Sequence, residues 1–266
     1  MNILPPALAA IGTAAIAMHR EHNLAEAAER LAAAALESLL NAIDANDVAT
    51  GAHVRRVAAY ALVLADAAEL DPACTRLVEQ VALFHDIGKI HEALFDIIHD
   101  AKVLTPAQRR EIATHPQRGA DVLLPLMGFY PNLPDGVLSH HEWWNGKGYP
   151  RKLKGAKIPI AARVVAIADS FDAITFSRRY HRGKSVEFAR DAILEGRAIQ
   201  FDPDLVDLLV SPPVFKAICD TEKEVSKWPA AMGRRQLRPE ENNVPDVLFR
   251  WRPDVGRHPR RKSQLR

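Results

Sequence analysis

The chain has 266 residues, 48% hydrophobic and 26% charged, a balance that excludes pervasive disorder and a fibrous repeat and suits one domain of about 150–200 residues with extensions. Its two cysteines, Cys74 and Cys219, exclude a disulfide scaffold and a cysteine-rich zinc module and fit a reducing compartment. The net charge of +2 is uneven: seven basic residues against Asp254 make Arg250–Arg266 a +6 tail and leave −4 on residues 1–249, too acidic a body for a broad nucleic-acid groove.

No stretch reaches the ~18 apolar residues of a bilayer span. Leu8 to Met18 is apolar but short, and its charges, Arg20 and Glu21, follow it. It reads as a packed helix rather than a signal peptide, in a cytoplasmic protein. Leu24 to Asp44 is rich in Ala, Leu and Glu, and its larger apolar residues recur at helical spacing, which predicts a second helix. Its stripe could meet its own domain or a second copy, so a homodimer through the N-terminal helix is one expectation. Asp71-Pro72, Thr105-Pro106, Asp202-Pro203 and Ser211-Pro212 each place a capping side chain before a proline, the chemistry of a helix start. Thr105 with Gln108 fits a capping box. Period-2 alternation is missing, and the apolar run Ile158 to Ile174 is long and alanine-rich enough for a buried helix. Gly146 to Gly155 is the clearest loop. The fold class is all-α.

Eleven histidines are present, and five of them fall where helices can present them. An apolar helix from about Ala73 runs into Phe84-His85-Asp86-Ile87-Gly88-Lys89. This could be an ordinary helix end stopped by glycine, but an adjacent His-Asp pair also offers a nitrogen and a carboxylate able to bridge two cations. His140-His141 can converge on one ion only near a helix end, since adjacent helical residues point about 100° apart. Asp135 is the expected cap of the short helix before them. His115-Pro116 places an extended residue at a helix entrance. Asp169 lies inside the apolar run, where a carboxylate must be paired with a cation such as Arg163 or Arg178, or bound to metal. His53, near Arg56 and Val57, is either a packing residue or a ligand. Together these are seven N/O donors and no thiolate, a set suited to Fe, Mn, Co or Zn. Two such ions about 3.5–4 Å apart can clamp a phosphodiester and acidify a water between them. Lys89 is near enough to reach a phosphate oxygen.

His53-x-x-Arg56-Val57, His85-Asp86-Ile87-Gly88-Lys89, His115-Pro116, His140-His141-Glu142, Gly146-Lys147-Gly148-Tyr149-Pro150, Ile158-Pro159, Ala168-Asp169-Ser170-Phe171-Asp172-Ala173 and Arg178-x-Tyr180 resemble the HD-GYP phosphohydrolases in order and spacing, over roughly residues 45–210. The resemblance implies an HD-superfamily helical bundle with a GYP extension. It implies a metal-dependent hydrolase of cyclic dinucleotides, above all cyclic di-GMP. It further implies that His53, His85, Asp86, His115, His140, His141 and Asp169 bind two divalent ions, iron or manganese foremost, with Asp86 bridging. Lys89 would assist the cleaved phosphate, and Gly146, Gly148, Tyr149, Pro150 and Arg178 would shape the nucleotide groove.

Some HD-GYP members carry a glutamate for a third metal where this chain has Ala49. A Lys-Pro-Gly loop is replaced by Ile97-Ile98-His99-Asp100-Ala101-Lys102, a usual aspartate by Asn145, and Ser-Asp before Arg178 by Phe176-Ser177, with Arg179 after it. These departures touch the substrate side and leave the metal positions whole. The rivals are therefore an HD-type hydrolase of another nucleotide and a binding module without turnover. The expected organisation is an N-terminal helical segment over 1–44, too short for a receiver or sensor domain, a catalytic domain over 45–226, and a C-terminal extension with its basic tail over 227–266. Few large apolar residues anchor that tail (Trp251 is the exception). Its removal should leave folding and small-substrate turnover unchanged; a large fall in thermal midpoint on deleting Arg250–Arg266 would show that it packs on the domain.

Overall fold

The computed structural model describes residues 6–90, 105–176 and 183–225. Their helices in chain order are α1 (Pro6–Asn46), α2 (Val48–Ala67), α3 (Pro72–Phe84), α4 (Pro106–Ile112), α5 (His115–Leu123), α6 (Leu133–Ser139), α7 (Ile160–Thr175), α8 (Val186–Glu195), α9 (Pro203–Val210) and α10 (Pro212–Val225), with a 3-10 turn at Ile87–Ile90. The described residues contain no strand, only one isolated bridge between Arg197 and Phe201. The all-α expectation holds. The two N-terminal helices expected from sequence are one helix, because neither glycine nor proline occurs between Thr13 and Asn46 to end it.

α2 is the axis of the bundle. From Val54 to Ala65 nearly every residue is buried, whichever side of the helix it occupies. A helix apolar all round must be enclosed, and α1, α3, α7 and α10 enclose it. α1 contributes Ala32, Leu36, Leu40 and Ile43 to the core, while Leu24 and Leu31 stay 70% and 72% exposed. α7 is buried as the sequence predicts, and its Phe171 meets Tyr60 of α2 edge-on at 5.1 Å.

The turn between α1 and α2 is built by two aspartates. Asp47 caps α2, accepting from the backbone N–H of Ala49 and Thr50. Asp44 receives the Arg55 guanidinium at 2.6 Å on both oxygens. The chain breaks at Asp47, and Gly51 lies inside α2. Gly51 is where Asp44 comes closest; a Cβ there would sit 1.9 Å from Asp44 Oδ1.

Three local expectations are corrected. Asp135 lies inside the first turn of α6 and pairs with Arg151 at 2.6 Å; the residue before the helix is Asn132, whose side chain makes no cap bond. Ser211 turns back to donate to the Leu208 carbonyl instead of capping α10. His115 is already the first helical residue of α5 instead of an extended residue before it. The caps at Asp71, Thr105 and Asp202 are formed, the second as a full capping box.

Gly88 is not the left-handed stop that its position after an apolar helix suggests, since positive φ occurs only at Gly146 and Gly155 among the described glycines. It is instead a point of backbone contact: a Cβ there would lie 2.1 Å from the His115 carbonyl oxygen and 2.7 Å from Gly119 N. This closeness presses the His85-Asp86 segment onto α5. Gly88→Ala should therefore lower stability by about 1–3 kcal/mol, the range for an overfilled interior. Urea unfolding checks it, and an unchanged midpoint would show that the contact yields.

Candidate metal centre

The seven proposed donors come from five helices. Only His53 and Asp169 lie mid-helix. His85 and Asp86 follow the end of α3, His115 opens α5, and His140 and His141 follow the end of α6. Helix ends allow sequence neighbours to converge, which is how the His140 and His141 rings come to lie 4.1 Å apart.

Two groups result. His115, His140 and His141 offer ring nitrogens within 4.8 Å of one another, and His53, His85 and Asp169 offer a second such set. Asp86 stands between them. Its Oδ1 is 3.4 Å from His115 Nε2, and its Oδ2 is 3.5 Å from His85 Nε2 and 3.7 Å from His53 Nε2. The structure thus brings together all seven residues singled out in the sequence. Arg163, a rival partner for Asp169, binds Asp202 instead at 2.6 Å. Arg178, the other rival and a candidate groove residue, lies outside the described residues, as do the 97–102 substitution and the basic tail.

The rings are turned by their Nδ1 atoms. His85, His115 and His140 donate Nδ1–H to the carbonyls of Ala82, Ile112 and Val137, each three residues back, at 2.8, 2.7 and 2.6 Å. A carbonyl only accepts, so a proton sits on each Nδ1, and in the neutral ring the lone pair is then left on Nε2. Burial and then the Lys89 ammonium press His115 down to about 3. Burial, with His141 and His115 beside it, holds His140 well below the imidazole range. Burial also takes His141 to about 4, against the pull of Asp169. These rings are neutral at pH 7.

That protonation pattern tests whether a cation fits. His115 Nε2 and His140 Nε2 face each other at 3.1 Å, two lone pairs with no proton available between them. His85 Nε2 and Asp86 Oδ1 are buried without a hydrogen-bond partner, an arrangement that costs about 1–3 kcal/mol per group when nothing satisfies it. Burial opposes ionisation of Asp86, but Lys89, His85, His115 and His53 hold its carboxyl well below its ordinary value. Asp169 is likewise lowered, burial notwithstanding, chiefly by its contact with His53. Neutral imidazoles at His115, His140 and His141 and ionised carboxylates at Asp86 and Asp169 suit borderline or hard divalent ions. His53 differs: although burial opposes its charge, Asp169 and Asp172 on its two edges raise it to about 9, so a bound cation would take the place of its Nε2 proton.

Lys89 Nζ lies 2.6 Å from Asp86 Oδ2, so the ammonium is already held at the edge of the donor set. The Gly-Tyr-Pro segment folds back on His141. Tyr149 N–H donates to the His141 carbonyl at 3.1 Å, and the two rings lie 4.9 Å apart at 31°. Gly148 sits where a Cβ would meet Trp143 N at 2.2 Å, and Gly146 takes φ 82° to turn the loop. Pro150 is exposed.

Three contributors were not assigned roles from sequence. Asp172 and Arg56 form a buried pair behind His53, and both lie three residues beyond a donor on its own helix, a spacing that puts them on the same face. Glu142, the third residue of His-His-Glu, is buried and accepts from the backbone N–H of Arg151 and Leu153 at 2.6 and 2.9 Å. It fixes the return of the Gly-Tyr-Pro loop.

The fold and these side chains define an all-α bundle carrying two His/Asp clusters able to hold divalent metal ions. The sequence pattern of the HD domain family matches residues 37–205, and the chain belongs to that family, which agrees with the HD-GYP resemblance of its motifs. It is similar to 3'3'-cGAMP-specific phosphodiesterase 2 of Vibrio cholerae serotype O1, with 34% identity over 175 residues, covering 65% of this chain and 33% of that one. It is also similar to a cyclic di-GMP phosphodiesterase of the same organism, 32% identical over 196 residues, covering 66% and 39%. The chain thus spans a third to two fifths of the length of these relatives. In fold it is similar to the crystal structure of a cyclic GMP-AMP-specific phosphodiesterase of V. cholerae, with TM-score 0.52 and 22% identity over 77% of this chain and 56% of that one.

Asp86→Asn should lose metal retention, because a neutral amide removes charge from both clusters together. Elemental analysis of purified protein checks this, and full metal content in the variant would exclude a bridging role.

Proposed function

We propose that the chain is a metal-dependent phosphodiesterase that opens a cyclic dinucleotide, cyclic di-GMP foremost, to the linear dinucleotide. The observation that carries this reading is the placement of Asp86 between two donor clusters, with its own Oδ1 and His85 Nε2 buried and without partners. His115, His140 and His141 would hold one ion, His53, His85 and Asp169 the other, with Asp86 shared; iron and manganese suit the donors. When bound, such a pair of ions polarises a phosphodiester and supplies an activated water. Two ions per chain, rather than three, follow from Ala49. The nearby carboxylates are already engaged, Asp47 in the α2 cap and Asp44 with Arg55.

The remaining work falls to the chain itself. Lys89, beside Asp86, neutralises charge that develops on the phosphate. Tyr149 offers a ring next to His141 on which a base can stack. Gly146, Gly148 and Pro150 shape the loop that carries it, and Arg178, outside the described residues, is assigned to the nucleotide groove on the HD-GYP resemblance alone. One finding favours a second cyclic dinucleotide as substrate: a relative at 34% identity is named for 3'3'-cGAMP. A module that binds without turnover has no need of seven convergent donors.

No helix among the described residues is long and apolar enough to cross a membrane, and both cysteines are free; we place the activity in the cytoplasm. The catalytic unit is proposed to span 45–226, between the N-terminal helical segment and the C-terminal extension. A homodimer through α1 would use Leu24 and Leu31, since the deeper apolar residues of that helix are spent on the core.

The test is turnover of cyclic di-GMP and 3'3'-cGAMP by purified protein loaded with Mn²⁺ or Fe²⁺. Linear product from either supports the reading, and no turnover of either overturns it. Lys89→Ala should retain the metal and lose turnover on the order of 10²–10³-fold, as for removal of one transition-state donor. A near-normal kcat at saturating substrate would leave Lys89 a solvated side chain.

A further inference from the structure

His53 is held differently from the other rings. It lies mid-helix in α2, where the carbonyls one turn back belong to the helix's own hydrogen bonds. Its Nδ1 must therefore find an acceptor elsewhere, and meets Asp172 Oδ2 of α7 at 2.6 Å, 119 residues away in sequence. Asp172 is 0% exposed. It also receives the Arg56 guanidinium, Nε on Oδ1 at 2.6 Å and a terminal nitrogen on Oδ2 at 2.9 Å. The Arg56 guanidinium in turn lies 3.5 Å from the centre of the Phe176 ring. Asp169, one turn earlier on α7, lies 3.3 Å from the opposite nitrogen, Nε2. Two carboxylates of one helix thus take the two edges of a single imidazole. Asp169 faces the donor cluster, while Asp172, occupied by the Arg56 fork, backs the ring.

We propose that Asp172 is a positioning residue, which holds the His53 proton on Nδ1 and thereby turns the Nε2 lone pair toward the ion shared with His85 and Asp169. This rests on the metal-dependent reading above. It separates the two clusters chemically: the His53 cluster has a carboxylate-backed imidazole and a carboxylate of its own, whereas at least two of the three rings in the other cluster lean on backbone carbonyls. A carboxylate behind a ligating histidine fixes the ring and raises its basicity, and its loss typically costs 10–100-fold in metal affinity.

In Asp172→Asn the single amide oxygen is claimed by Arg56, so the NH₂ group is left against Nδ1 and favours the wrong tautomer. One of two Mn²⁺ equivalents should weaken 10–100-fold while the other is unchanged, read by titrating metal-free protein and following free Mn²⁺ by electron paramagnetic resonance. Arg56→Gln, which leaves the Asp172–His53 bond in place, should lower the thermal midpoint with metal affinity kept within about threefold. In the zinc-loaded unmodified chain, long-range ¹H–¹⁵N histidine spectra should show His53 protonated on Nδ1, a result independent of how any variant folds. A folded Asp172→Asn protein that binds both equivalents normally overturns the proposal, as does equal loss of both equivalents or a His53 protonated on Nε2. An unmodified chain that binds no metal would instead remove the metal-dependent reading itself.

Discussion

A carboxylate stays ionised deep inside a bundle only where positive charge is fixed around it. Asp86 meets that condition through the Lys89 ammonium, 2.6 Å from Oδ2, while the nitrogens of His53, His85 and His115 stand around it at 3.4 to 3.7 Å. The rest of the site is arranged about this group. Each cluster takes one of its oxygens, so neither can shift without moving the partner atom of the other. The close backbone approach at Gly88 serves the same end, because Asp86 reaches His115 only if α5 lies against the His-Asp segment.

Two kinds of support hold the donors in place. At helix ends the chain uses its own backbone: three histidines rest on carbonyls three residues earlier, an arrangement that depends on helix geometry and little on neighbouring residue types. In mid-helix the backbone is already committed, and a side chain from elsewhere must take over, as Asp172 does for His53. Glu142 applies a third form, with a buried carboxylate binding the amides of a returning loop. The divide follows from which backbone groups a helix leaves over at its ends.

Much of this is legible in the amino-acid sequence. The helices announce themselves through proline-led caps and apolar spacing, and α7 through the length of its alanine-rich run. The seven proposed donors stand out only jointly: each alone has an ordinary reading as a helix end, a packing residue or half of a salt bridge, and the signal lies in their combination and order. What escapes is whatever depends on contacts between distant segments. Gly88 looks like a helix stop from its neighbours alone; only α5 laid against it reveals the steric reason. Asp172 and Arg56 lie in plain sight three residues from their donors, yet 116 residues separate them in sequence, and nothing local says that they meet. Asp135 and Ser211 mislead for the opposite reason, since both have the right chemistry for a cap but find stronger or nearer partners.

The contact between Gly88 and Gly119 also bears on how such a protein can change. It joins the segments on either side of residues 91–104 directly, backbone to backbone. That junction fixes His85 and Asp86 relative to His115. A substitution that prised this junction open would therefore be felt in both donor clusters at once, since His115 belongs to one and His85 to the other.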